Sequence, residues 1–381
     1  MPRTGYAELP LHGGSAPRWL FKRMVKLAEG ISEVIVLEYD ESELLRRLSD
    51  PFWFQAFSCV LGFDWHSSGT TTVTCGALKE ALDPKRHGIM VAGGKGKASK
   101  KAPSEIVSGC DTLGLSTLKS DELVYSSKMS AKVDNTAIQD SYQLYHHVLV
   151  FTEKGNWCVI QQGINNESGY ARRYHWLSEN LDSFILEPHD AIVGERQRGK
   201  TLDMTSRESE EVQKISVDLI RDSPKKLKWI VESLRKPGQS SLSEWGLEVA
   251  KGKYISTLIM PKRINWNFVR GAYEFQPKNY EELVSIKGIG PATVRALALV
   301  SELVYGEPPS WKDPVKFSFA VGGKDGVPYP VDRKVMDESV DIIQHGIEEA
   351  KIGKKEKLSA LRRLSDFVPP DFDWLDENTR F

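Results

Sequence analysis

Only four cysteines stand in 381 residues (Cys59, Cys75, Cys110 and Cys158), and no two form a C-x-x-C pair. That spacing excludes a zinc ribbon and a disulfide scaffold, and it suits a reducing compartment. Charge of one sign is lacking too, since 51 Lys and Arg against 52 Asp and Glu leave a net charge of −1. The chain as a whole exerts no long-range pull on nucleic acid, so any such binding must come from local patches. No apolar run approaches membrane-spanning length, and no basic, apolar, small-residue leader pattern opens the sequence. A P-loop (GxxxxGK[ST]) is missing as well, which argues against an NTPase. What remains is a cytoplasmic globular protein, 40% hydrophobic and 27% charged, long enough for two domains.

The stretch that carries most information is 280–306, YEELVSIKGIGPATVRALALVSELVYG. It reads as helix, turn, helix. Asn279 is the expected cap of the first helix, with Glu282 completing a capping box. Gly288-Ile289-Gly290 makes the turn, Pro291 suits the first position of the second helix, and Gly306 ends it. Such a turn leaves backbone N–H groups at a positive helix end, which is the geometry of a phosphate site. Gly288, Ile289, Gly290, Ala292 and Thr293 are its candidate contacts. A helix pair used only for packing is the plainer alternative.

Upstream, Trp19, Leu20, Met24, Leu27 and Ile31 recur at helical spacing, and residues 33–39 (EVIVLEY) read as a strand. Residues 41–48 form a short charged helix, and 51–62 a buried aromatic one. A polar turn follows with Asp64, His66, Ser67 and Ser68, then a helix over 76–82. Residues 89–91 read as a short strand running into GGKGKASKKAP, where Lys95 and Lys97 are candidate contacts to an anionic backbone. Lys128 and Lys132 lie among serines, and Asp134 and Asp140 precede a clear hairpin of two strands, 142–151 and 157–163. Adjacent His146 and His147 must point to opposite faces of that hairpin. In YARRYHW (170–176), Arg172, Arg173 and His175 lie between aromatics, a pattern that suits single-stranded nucleic acid or a polar surface over the hairpin. Polar residues near 194–211 mark a domain boundary, and the remainder reads as helices.

Two resemblances follow from these stretches. LPLHGGSAPRWLF, FDWHSSGTTTVTCGALKEAL, VDNTAIQDSYQLYHHV, YARRYHW, IKGIGPATVRALALVSELVYG and PYPVDRKVMD together resemble an archaeal and bacterial family described as a domain of unknown function, which implies no activity. The C-terminal half resembles the helix-hairpin-helix (HhH-GPD) DNA glycosylase superfamily, in which the hairpin grips a DNA strand by its backbone and a later Asp serves base excision. Val331-Asp332 follows here in the right order, at a longer separation than that superfamily uses. Ala292 stands where its lyase members carry a nucleophilic Lys, so a Schiff-base lyase is not expected.

The expected fold class is α+β. An N-terminal mixed α/β domain with an antiparallel hairpin (1–197) would be catalytic, and a C-terminal all-helical domain with the helix-hairpin-helix motif (205–381) would hold DNA. The leading expectation is a metal-dependent nuclease of repair or recombination, acting on single-stranded, branched or bubbled DNA without sequence preference. Its catalytic set would be Asp64, His66, Asp134, Asp140, His147, Lys128 and Lys132. Asp64, Asp140 and His66 would hold Mg or Mn, because phosphodiester hydrolysis near neutral pH needs a cation to polarise the phosphate. Alternatives are a glycosylase-like enzyme using Asp332, and a non-catalytic protein that binds DNA or recruits a repair partner.

Overall fold

The computed structural model describes residues 9–11, 16–62, 67–194, 201–235, 259–315, 333–350 and 353–367. Four helices come first: α1 (Arg18–Glu38), α2 (Glu41–Ser49), α3 (Pro51–Leu61) and α4 (Ser68–Ala81). Asp40 and Asp50 cap α2 and α3 by accepting from the first-turn amides of Glu43, Phe52 and Trp53. A single turn, α5 (Pro84–His87), leads into strand β1 (Ile89–Lys95). A 3-10 segment over Gly96–Lys101 then feeds α6 (Ala102–Leu113), followed by α7 (Thr117–Thr136). The strands that follow are β2 (Ile138–Gln139), β3 (Gln143–Thr152), β4 (Trp157–Asn165), β5 (Tyr170–Leu177), β6 (Ala191–Val193) and β7 (Leu202–Asp203).

β1, β3, β4, β5 and β6 form one antiparallel sheet in the order β1-β3-β4-β5-β6, while β2 pairs with β7. Alternation along β3 sends Leu149 and Phe151 to a core shared with α6 and α7. Val148 and Val150 go to a second core shared with α1–α4. With both faces covered, the central strands are buried almost throughout, polar residues included.

The expected strand over 33–39 is the last two turns of α1. Burial there follows the helix: Val34 and Ile35 are buried, while Leu37 is exposed. Packing against α4 and a late helix overrides the local β preference.

Beyond β7 the described residues are mostly helical: α8 (Glu210–Asp222), α9 (Pro224–Arg235), α10 (Trp266–Phe275), α11 (Tyr280–Ser285), α12 (Pro291–Val300), α13 (Arg333–Glu349) and α14 (Lys354–Phe367). Residues of α8–α12 share one hydrophobic cluster with α6, α7 and one sheet face. α13 packs on α1 and α14 on α3, where Arg363 donates to the Val60 carbonyl at 2.7 and 3.0 Å. The architecture is thus mixed α and β with an antiparallel sheet. No described helix is long and apolar enough to cross a membrane.

Candidate active site

α7 lies across one face of the sheet, and its buried side is unusually polar, with Ser120, Ser126, Ser127, Ser130 and Asp134 among Leu123, Met129 and Val133. Where this side meets the start of β3, a cleft of about 380 Å³ opens. Ser127, Lys128, Lys132 and Asn135 border it from α7, Lys100 from the 3-10 segment, and Tyr145, His146, His147 and Gln161 from the hairpin. None of the residues lining it is a carboxylate. With Lys100, Lys128 and Lys132 among the lining residues and no acidic side chain beside them, the lining carries net positive charge. Burial lowers the Lys132 pKa, and its ammonium donates to the Ile286 carbonyl at 3.1 Å.

A directed chain of hydrogen bonds runs back from the cleft. Ser127 Oγ lies 2.8 Å from His147 Nε2, and His147 Nδ1 lies 2.9 Å from Gln161 Oε1. Gln161 Nε2 donates at 2.6 Å to Asp134 Oδ2, which also accepts from Trp176 Nε1 at 3.1 Å. His189 Nε2 stands 2.5 Å from the other oxygen of Asp134. An ionised carboxylate only accepts, so it turns the Gln161 NH2 toward itself and leaves the amide oxygen facing His147. That oxygen needs a proton from Nδ1, which places the lone pair of His147 on Nε2, aimed at the Ser127 hydroxyl. Burial lowers the His147 pKa, partly opposed by the Gln161 bond and the charge of Asp134, and the ring is neutral at pH 7.

Backbone geometry at the end of β1 sets the position of His147. Gly93 has φ 103° and pairs with Val148, and a Cβ there would collide with the His147 carbonyl oxygen. Glu105 fixes this point by accepting from the Gly93 amide at 2.7 Å, and Lys79 joins it by bonding the Gly93 carbonyl and Glu105. Gly93→Ala is expected to cost about 1–3 kcal/mol from the strained backbone alone, read by urea denaturation. A register shift between Leu144 and His146 breaks the alternation of β3 at Tyr145, whose hydroxyl reaches Gln162. His146 is buried with both ring nitrogens lacking a hydrogen-bond partner, and burial pushes its pKa down to about 3.

Of the residues expected at a site, Lys128, Lys132 and His147 meet at the cleft, and Asp134 stands behind it through Gln161. Lys95 is nearby, 6.0 Å over the Tyr145 ring, and Lys97 is exposed on the 3-10 segment. Asp140 is not part of the cleft. Its carboxylate is already taken up by Arg172 (2.9 Å), the Tyr174 hydroxyl (2.6 Å) and the Tyr142 amide (3.0 Å), so it does not fit a role as a metal ligand. Arg172 and Arg173, expected to contact nucleic acid, are fully buried instead. Arg172 joins Asp140 to Asp313 (2.8 Å); burial opposes its charge, and the two carboxylates more than offset that. Arg173 donates to His175 Nε2 at 2.9 Å and lies over the Phe54 ring, and burial lowers its pKa to about 9. A basic-aromatic strand with both faces covered by helices cannot offer these groups to a ligand. Asp64, His66 and Asp332 lie outside the described residues. Among those described, no group of three His, Cys, Asp or Glu residues is placed to hold a metal ion.

The turn at 286–290 is built as follows. Asn279 caps α11 by accepting from Glu282, whose carboxylate reaches back to the Lys278 amide. Gly288 has φ 89°, and a Cβ there would strike the Phe268 ring, so packing as well as conformation requires glycine. Gly290 caps α12 with open space where its Cβ would stand, and Lys287 beside it is exposed. Ala292 is half-buried and Thr293 buried in the first turn of α12; Ile289 points into the core.

Sequence reading assigned no role to Ser127, Gln161, Tyr145 or Asn135. The one available signal was the set Ser120, Ser126, Ser127, Ser130 and Asp134, which falls on one helical face at a spacing usually filled by core residues. A family model described as "Protein of unknown function (DUF763)" matches residues 5–331. No curated protein and no solved structure matches the chain.

Proposed function

Because the chain belongs to the DUF763 family, whose description states no activity, we propose a function from the cleft and the turn: binding of a DNA strand by its phosphate backbone, and cleavage of that backbone in the cleft. One observation carries the reading. Lys132 borders the cleft and holds the Ile286 carbonyl of the 286–290 turn, so the cationic cleft and the turn are neighbours on one surface. A strand whose phosphates meet the α12 N-terminus and Lys287 runs on toward Lys132, Lys128 and Lys100. The turn then acts as a helix-hairpin-helix element. Its amide donors meet phosphate oxygens rather than base edges, so binding is independent of sequence.

The 380 Å³ cleft suits a single strand or a frayed end. Tyr145, half-buried beside Lys95, offers a ring on which a base can stack. A divalent ion added with the DNA could screen the transferring phosphate. The residues of this chain supply the lysines that neutralise it and the neutral imidazole that takes a proton.

The test is cleavage of single-stranded, flapped and bubbled DNA, with magnesium or manganese and again with chelator. The expected result is strand cleavage by the parent protein and at least about 100-fold less by His147→Ala, the usual scale for losing a general base. Binding without cleavage on every substrate would leave a non-catalytic DNA-binding protein. Lys287→Glu should weaken binding without changing helical content by circular dichroism, because the side chain is exposed and packs against nothing that folds the turn.

A further inference from the structure

We infer that Ser127 is a nucleophile, activated by His147, which forms a covalent phosphoserine intermediate with the anion bound in the cleft. The inference rests on the proposed backbone-cleaving function and names its reacting atom. Four observations converge on it. Ser127 borders the cleft, and its Oγ lies 2.8 Å from His147 Nε2, within proton-transfer reach. His147 is oriented from behind by Gln161, and Gln161 by Asp134, so the acceptor nitrogen is fixed rather than free to exchange roles. The surroundings keep the imidazole neutral, the form a base requires. Finally, Lys100, Lys128 and Lys132 bring positive charge to the rim, and no lining carboxylate competes there. A serine and a histidine serving only as packing would need neither a fixed tautomer nor a cationic opening.

The chemistry balances with water as the only co-reactant. In the first step, Ser127 Oγ forms a bond to phosphorus while the bond from phosphorus to the leaving oxygen breaks. The Ser127 proton passes to His147 Nε2 and then to the departing oxygen, releasing one strand as an alcohol and leaving a phosphodiester on Ser127. In the second step, water attacks phosphorus, His147 takes its proton, and the Ser127–phosphorus bond breaks. The proton returns to Ser127 Oγ, giving a phosphate-terminated strand and the starting enzyme. Gln161 and Asp134 touch no reacting atom and act as positioning residues.

The experiment uses the full chain and a fluorophosphonate probe, which loses fluoride when an activated serine attacks its phosphorus. The labelled peptide is identified by mass spectrometry, with and without single-stranded DNA. The expected result is one label on Ser127, absent in Ser127→Ala and formed at least about 100-fold more slowly in His147→Ala. DNA should slow it. Gln161→Leu should slow labelling and shift its pH profile, whereas a merely structural role would leave that profile unmoved. Label on Ser127 that DNA does not slow would support the nucleophile and overturn the nucleic-acid reading. DNA binding by a protein with a native circular dichroism spectrum, but no label at Ser127, would overturn the nucleophile and spare the binding site. Neither label nor DNA binding would overturn both.

Discussion

Replacing Arg172 with Met is expected to destabilise the protein by about 3–5 kcal/mol, because two carboxylates would be left buried without their cation. Arg172 is fully buried, and the Asp140 and Asp313 side chains on either side of it are each 1% exposed. Removing the guanidinium leaves both anions in a low-dielectric interior, with the Tyr174 hydroxyl and the Tyr142 amide, both neutral, still donating to Asp140. Urea denaturation of the variant measures the loss. Adding Asp140→Asn to Arg172→Met should recover part of it, since one buried charge is then gone. A single variant within about 1 kcal/mol of the parent would contradict this account of the pair. By contrast, Glu179→Ala breaks the exposed Arg46–Glu179 pair and should cost less than about 1 kcal/mol.

Acid is expected to destabilise the fold steeply from about pH 6.5 downward. His146, His147 and His175 are all buried, and burial lowers each pKa: to about 3 for His146 and well below the ordinary range for His175. Neighbouring charges act on the same rings, with Lys95 adding to the lowering at His146, Arg173 at His175, and Asp134 opposing it at His147. In the unfolded chain these rings take up protons below about pH 6.5, while in the folded protein each does so only at lower pH. The unfolded state therefore binds more protons in that window, and stability falls as pH falls. The full contribution is present above pH 6.5. For His146 the loss accumulates down to about pH 3, at about 1.4 kcal/mol per pH unit. Denaturation midpoints between pH 7.5 and 5 measure the slope, on the scale set by the free imidazole pKa of about 6.5. His146→Gln should make it shallower.

Much of the fold is legible in the sequence wherever local chemistry and burial agree. Asn279 stands before a helix and caps it, and the 153–156 turn joins two strands as its Gly and Asn require. The errors arise where long-range packing decides. EVIVLEY has the composition of a strand, but α4 and α13 supply a helical groove for it. YARRYHW sets bases among rings as a surface strand would. Yet Asp140 and Asp313 neutralise one arginine, while the Phe54 ring and His175 receive the other, so the strand lies inside. The site was half legible for the same reason. Lys128, Lys132 and His147 stand out by residue type, whereas Ser127 and Gln161 acquire meaning only when β3 and β4 are laid against α7.

The central claim is that the cleft and the neighbouring turn together hold a phosphate backbone. Its most direct test is equilibrium binding of a single-stranded oligonucleotide as a function of salt, for the parent protein and for Lys100→Glu/Lys128→Glu. Both lysines are exposed and border the cleft, so the fold should tolerate the change. The account predicts that log affinity falls linearly with log salt for the parent, independently of base sequence. In the variant the affinity should drop and the slope become shallower by about 0.7 for each phosphate that the protein no longer neutralises. A parent protein whose binding ignores salt, or a variant that binds with the parent's affinity and slope, would contradict it.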